Sequence, residues 1–259
     1  MKIFKKNITL LLTKLEILSA LAIRLTRITG KSKIPVHPKH LVNLDKPWYL
    51  RYIKSEDEVL DVGCGVGNTA VNVAKKAKFV IGFDKISKNL TYAKKFVKEQ
   101  NLDNVRFIKA DADKKLPFKN NRFTKVIMFD VLEHLKNRNQ AIREVKRVLK
   151  KKGLFLLLTD NPDTSWKRAK REAGLFYYAD RDHKYEYSRE EIIWLLERND
   201  FKVLSVKLST YDTPLKPVID LIGSLTLSGY RKLSKKREAM VYKNPQETTG
   251  YKIVSLNKK

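Results

Sequence analysis

The chain has 259 residues, 42% of them hydrophobic, enough for a sizeable core and compatible with one or two domains. Its formal net charge of +27 selects anionic partners such as nucleic acid or a membrane surface, or reflects a lysine-laden surface with no such partner. The lone Cys64 excludes an intramolecular disulfide and a cysteine metal cluster, and with no run of 18 uncharged apolar residues no membrane-spanning helix is expected.

Residues 1–47 open with Ile8, Leu11, Leu12, Leu15, Leu18, Leu21, Ala22, Leu25 and Ile28 at helical spacing, interspersed with Lys14, Arg24 and Arg27. This predicts a basic amphipathic helix. Residues 1–44 hold nine Lys or Arg against one acid, Glu16. Because Lys14 and Glu16 interrupt the apolar stripe and no small-residue cleavage site follows, a secretory signal is not expected.

From residue 48 short apolar runs alternate with helical stretches, the βαβ rhythm of a parallel sheet. Val59–Val62 is the first strand, and Asn68–Lys78 the first helix behind it. Phe79–Asp84 is the second strand, with Ser87 as N-cap of a helix reaching Gln100. Val105–Lys109, Lys125–Asp130 and Leu154–Asp160 read as the third, fourth and fifth strands. Between the last two, Asn137–Leu149 presents Ile142, Val145, Val148 and Leu149 on one helical face, stopped by Gly153. Ser188–Arg198 begins Ser-Arg-Glu-Glu, a capping-box pattern, and Phe201–Leu208 with Tyr251–Leu256 completes the sheet as a final pair. The expected domains are an extension or lid at 1–47 and an α/β domain at 48–259. That domain carries an insertion at 210–249 with Pro214, Pro217, an apolar stretch from Val218 to Leu227, and Arg231, Lys232, Lys235, Lys236 and Arg237.

The chemical signal sits where the first strand ends, at Asp61-Val62-Gly63-Cys64-Gly65-Val66-Gly67. Alternating glycines let the chain turn sharply out of a strand and bring its backbone against a ligand. Asp84 closes the next strand at the spacing a dinucleotide fold uses for its ribose carboxylate. The third glycine arrives one residue early for the dinucleotide fingerprint, however, and Asp61 would repel a pyrophosphate. An acid there suits a ligand with an ammonium group and no phosphate, as in S-adenosylmethionine.

Val59 to Gly67 resembles the first motif of the class I methyltransferases. The likeness continues through Phe83-Asp84, Asp111-Ala112, Leu116-Pro117-Phe118, Phe129-Asp130-Val131-Leu132-Glu133-His134-Leu135 and Gly153-Leu154-Phe155. It covers about residues 55–210 and most resembles the ubiquinone-biosynthesis (type 11) members; Thr124, where an Asp is common, departs from them. The resemblance implies a Rossmann-like, mostly parallel seven-stranded sheet with helices on both faces and its last strand antiparallel. It also implies S-adenosylmethionine as cofactor: the turn at Gly63, Cys64, Gly65 and Gly67 meeting the methionine carboxylate through backbone amides, Asp61 the ammonium, Asp84 the ribose, and Asp111 and Ala112 the adenine, with Lys85 and Asp130 as further cofactor-binding residues.

For the acceptor, His134 follows the fourth strand at the mouth of the sheet, where ligands of open α/β folds bind, and is a candidate general base. His183 and Tyr185, in the loop before the Ser188 cap, are the others. Asp130, Glu133 and His134, at i, i+3 and i+4, have the types to converge on a divalent cation, but Asp130 is short for the purpose and no metal is assigned. The expected activity is methyl transfer to an oxygen of a small-molecule or lipid-linked acceptor, by a cytoplasmic protein whose two basic, apolar segments dock peripherally on the inner membrane face. An RNA methyltransferase using the basic surface, and a non-catalytic nucleoside-binding protein, are the competing readings; the first lacks the Asn/Asp-Pro-Pro-aromatic motif of base-amine methylation.

Overall fold

The computed structural model describes residues 2–33, 35–42 and 47–258, with no side chains for residues 2–5 and His40. In chain order the helices are α1 Lys2–Thr13, α2 Ile17–Ile28, α3 Asn68–Ala74, α4 Ser87–Glu99, α5 Arg138–Val148, α6 Ser165–Glu172, α7 Arg189–Glu197, α8 Lys216–Leu225 and α9 Leu227–Lys243. The strands are β1 Glu58–Val62, β2 Phe79–Asp84, β3 Val105–Lys109, β4 Phe123–Phe129, β5 Leu149–Asp160, β6 Phe201–Leu208 and β7 Gly250–Asn257. The chain divides into two compact units. One is Trp48–Asp160, Asp182–Lys207 and Tyr251–Lys259; the other is Met1–Pro47, Asn161–Arg181 and Leu208–Gly250.

The first unit is built on one seven-stranded sheet in the order β3-β2-β1-β4-β5-β7-β6. β1, β2, β3, β4 and β5 pair in parallel, as connections through helices require. β7 lies one place in from the edge and runs antiparallel to β6, their ladder continuing past the strands to Tyr211 and Thr248. The strands of the middle are apolar on both faces because helices cover both: Val59, Leu60, Val126, Ile127, Met128, Leu156 and Leu157 are all buried. Strand order reverses between β1 and β4, so the crevice of this sheet opens beyond their carboxyl ends.

Local chemistry explains where elements stop. The Ser188 hydroxyl accepts from Glu191 N while the Glu191 carboxylate takes Ser188 N–H, closing the expected capping box on α7. Ser87, by contrast, is the first residue of α4 rather than its cap. Ile86 occupies the cap position, and its amide donates to the Asp84 carboxylate at 2.7 Å. α3 ends at Ala74, four residues short of the expected Lys78, in a turn closed on Val73 O. α5 stops at Val148 because Leu149 is already extended, and Gly153 lies inside β5, where a Cβ would come within 2.7 Å of the Leu149 side chain. Thr124 ties the starts of two neighbouring strands, donating to Asp57 at 2.7 Å and accepting from Glu58 N.

The second unit is helical. The expected single amphipathic helix is broken by a 3-10 turn at Lys14–Glu16 into α1 and α2. α2 packs on α8, with Thr29 donating to Ser224 O at 2.8 Å and Ser19 to the Asp220 carboxylate at 2.7 Å. Residues 161–181, to which the sequence assigned no element, supply α6, whose Lys170 pairs with Glu16 at 3.1 Å. Among the described residues no helix is long and apolar enough to cross a membrane.

Candidate functional site

β1 ends at Val62, and the chain then takes three left-handed glycines in five residues: Gly63 at φ +66°, Gly65 at +52° and Gly67 at +89°. Any other L residue would be strained there. They do different work. A Cβ on Gly63 would meet Val131 Cγ2 at 2.4 Å and one on Gly67 the Ala93 Cβ at 3.0 Å, so these two are glycine for packing. Gly65 faces open space, with nothing within 4 Å of a Cβ, and leaves the backbone bare toward the crevice.

Three amides of this turn have acceptors within the protein. Cys64 N donates to Phe83 O at 2.9 Å, Gly67 N to Cys64 O at 2.9 Å and Gly65 N to the Asp84 carboxylate at 3.0 Å. Only the last is a side-chain partner. Asp84, buried at the tip of β2, therefore holds the glycine turn and the start of α4 together through Gly65 N and Ile86 N. Each carboxylate oxygen has a further lone pair for a ligand hydroxyl. Lys85 beside it is exposed, and Cys64 is buried with its thiol pushed upward by desolvation and by the charges of Asp61 and Asp84.

Asp61 is the anomaly of the site. Its side chain is buried, the Ala70 amide donates to it, and Oδ2 has no hydrogen-bond partner. Desolvation is the largest influence and the Asp84 charge adds to it, so its pKa is pushed up to about 8. A buried carboxylate left one donor short is costly unless something cationic completes it. Tyr49, which the sequence reading passed over, sits close enough to feel the Asp61 charge, its hydroxyl hydrogen-bonded to Asn72 and Thr69. Its signal was the aromatic group Trp48, Tyr49 and Tyr52 immediately before β1.

Farther along the same edge, Asp111 begins a turn in which its Oδ1 accepts from Asp113 N at 3.0 Å, and Ala112 is buried. Asp130 follows β4 with φ +54°, a strained conformation for a non-glycine residue, its amide donating to Leu158 O. A 3-10 turn at Leu132–His134 then presents His134, whose ring meets that of His183 edge-on at 4.5 Å. His183 is 7% exposed, with Nδ1 2.8 Å from Glu186 Oε1 and 3.9 Å from Asp160 Oδ2. Tyr185 does not present a free hydroxyl: it donates to Glu191, and its ring lies under the Arg138 guanidinium at 5.2 Å. It lines a cleft of about 420 Å³ with Arg138, Arg143, Tyr187 and Trp194. Asp130 and His134 do not gather with Glu133 as a ligand set. The carboxylates that approach His183 instead, Asp160 and Glu186, were not singled out in the sequence because they belong to a strand end and a loop distant along the chain.

A parallel sheet reversing at β1/β4, a glycine turn at that reversal and carboxylates on the tips of β1 and β2 place the chain in the class of α/β proteins with a Rossmann-like fold. Residues 53–199 match the family described as a methyltransferase domain, and the chain belongs to that family. It is 35% identical over 105 residues to an uncharacterized methyltransferase, YcgJ, of Bacillus subtilis, covering 40% of this chain and 41% of that protein. It is 36% identical over 124 residues to the sterol 24-C-methyltransferase ERG6 of Saccharomyces cerevisiae, covering 44% and 32% respectively. The matches thus span less than half the length of these relatives. Among solved structures, a SAM-dependent methyltransferase from Methanosarcina mazei aligns with a TM-score of 0.58 at 19% identity, over 82% of this chain and 97% of that one, a likeness of fold.

Proposed function

We propose that this chain is an S-adenosylmethionine-dependent methyltransferase acting on an oxygen of a small-molecule or lipid-linked acceptor. The observation that carries the cofactor is Asp61, a buried carboxylate with an unpartnered oxygen beside an open glycine backbone. An ammonium group supplies what that oxygen lacks, whereas the pyrophosphate of a dinucleotide would add a second negative charge. Asp84 keeps lone pairs for two ribose hydroxyls, and Asp111 and Ala112 form the wall for a purine. When bound, the cofactor supplies an already activated methyl group on a sulfonium.

The protein's share of the chemistry is then alignment, exclusion of water and removal of a proton. His134, half-buried at the mouth of the sheet, is the group we assign to accept the acceptor's proton. His183, fixed by Glu186, backs the His134 ring and holds its orientation. Support for a lipid-linked acceptor comes from the helical unit. Leu11, Ile17 and Ile28 are 65%, 72% and 77% exposed on helices rich in Lys and Arg, a pairing that an anionic bilayer surface complements. The sterol named for ERG6 is consistent with a lipid acceptor, although the atom its name gives is a carbon rather than the oxygen proposed here.

Calorimetric titration with S-adenosylmethionine and, separately, with NAD tests the cofactor: binding of the first and not the second is expected, and the reverse would overturn the proposal. Co-sedimentation with phosphatidylserine vesicles, compared with neutral vesicles and with a single-stranded RNA shift, tests the surface. Preferential RNA binding would favour the RNA methyltransferase reading.

A further inference from the structure

We propose that Glu133, Asp160 and His183 form a binding site for a divalent first-row metal ion. Each offers one ligand atom, and the three atoms lie within 4.8 Å of one another, a separation one ion can span with small side-chain adjustment. They come from three separate stretches of chain: the 3-10 turn after β4, the last residue of β5 and the loop before α7. The backbone already locks those stretches together. Lys184 N and Tyr185 N both donate to Glu133 O, at 2.7 and 3.2 Å, and Tyr187 N donates to Asp160 O at 3.1 Å.

A second observation points to a ligand. Glu133 is fully buried, its Oε1 has no partner, and its Oε2 receives only a 3.5 Å contact from the Thr159 hydroxyl. The charges around it are of its own sign, those of Asp160, Asp130 and Glu186. A dication placed among these carboxylates gives Oε1 a partner and offsets their mutual repulsion. Glu186, buried itself, lies 2.8 Å from His183 Nδ1; with Nδ1–H donating to it, the tautomer is fixed and Nε2 is the nitrogen left with a lone pair for the metal. Two carboxylate oxygens and one imidazole nitrogen make a mixed set suited to Mn²⁺, Fe²⁺ or Zn²⁺, with coordination positions left for water or an acceptor oxygen. His134 and Asp130 stand outside the set.

The test reads metal rather than turnover, so it is independent of the methyl-transfer reading. Untagged full-length protein, stripped with EDTA, is titrated with Mn²⁺ and followed by the loss of the free-ion electron paramagnetic resonance signal, with Zn²⁺ as competitor. One tight site per chain is expected, absent in Glu133→Gln and in Asp160→Asn and retained in Asp130→Asn. Glu186→Gln is expected to weaken it about 10-fold, as loss of a metal ligand's carboxylate partner does. Stripped wild-type protein that takes up neither Mn²⁺ nor Zn²⁺ would overturn the proposal, as would tight binding that survives in a folded Glu133→Gln.

Discussion

Each of the two units buries a carboxylate, and the two are treated oppositely. Asp220, in the helical unit, is wholly buried, but its Oδ2 receives Lys216 Nζ at 2.6 Å, Ser19 Oγ at 2.7 Å and His37 Nε2 at 3.1 Å. Despite the desolvation that opposes it, the hydrogen bond from His37 and the charge of Lys216 draw its pKa well below the ordinary carboxylate range. Asp61, in the sheet unit, has the Ala70 amide and no cation beside it, and its pKa rises to about 8. A carboxylate buried for structure carries its counter-charges with it. Asp220 Oδ1 lacks a hydrogen-bond partner just as Asp61 Oδ2 does, so it is the absent counter-charge at Asp61, rather than the unpaired oxygen, that points to a cationic ligand.

The largest expected effect tests the structural member of the pair. Asp220→Ala leaves Lys216 and His37 facing each other at 3.2 Å without their shared acceptor. Removing one partner of such a buried network costs about 3–5 kcal/mol. Urea unfolding followed by circular dichroism should show that loss, with S-adenosylmethionine affinity unchanged. Next comes Asp61→Asn, which keeps the shape and removes the charge. Calorimetry should find cofactor affinity reduced on the order of 100-fold, in the range for truncating a buried charge pair, and no loss of stability at pH 8. Unaltered affinity would remove the electrostatic basis of the cofactor assignment.

The same contrast predicts opposite responses to pH. Asp61 is held above its ordinary 3.8, so the folded chain keeps a proton that the unfolded chain has released. Its contribution is therefore fully present below about pH 4 and falls as pH rises toward about 8, by at most about 1.4 kcal/mol per unit. Asp220 is depressed, so its contribution is present above the unfolded value and is lost as pH falls below it. Replacing Asp61 by Asn should flatten the slope of stability between pH 5 and 8 and leave the acid limb intact. Because an ammonium ligand favours the charged carboxylate, cofactor binding at pH 7 should also release close to one proton. Calorimetry in two buffers of different ionisation enthalpy measures that release, and its absence would argue that Asp61 is already ionised without the ligand.

The sheet and the glycine turn were legible because they are local. Short apolar runs, Gly63 to Gly67 and the Ser188 box each lie within a dozen residues, and the structure bears each out within one or two residues for most strands. The errors have physical causes. Ser87 was read as a cap because the sequence could not show Asp84 reaching forward to the Ile86 amide. Gly153 reads as a helix stop in the sequence, though the helix ends five residues earlier and the glycine is there to admit Leu149. The carboxylates around His183 were the least legible part of the site. Glu133, Asp160 and Glu186 meet only because β4 and β5 are neighbours and the loop before α7 returns over them, a tertiary fact with no local pattern.

Gly65 and Gly63 carry the comparison down to its smallest expected effect. At Gly63 an added methyl group would strike Val131 at 2.4 Å in a backbone conformation at φ +66°, so Gly63→Ala should lower stability and distort the site together. Gly65 has the same hand of backbone, φ +52°, but no neighbour within 4 Å. Its substitution by Ala should cost only the conformational strain, about 1–2 kcal/mol. If that open space is where the cofactor meets the backbone, the new methyl group should also weaken S-adenosylmethionine binding by about 10-fold, equivalent to some 1.4 kcal/mol. Thermal denaturation and calorimetry on the two variants separate these terms. A Gly65→Ala protein that loses stability but binds as tightly as wild type would mean that the cofactor approaches the turn from another side, with Gly65 serving only the path of the chain.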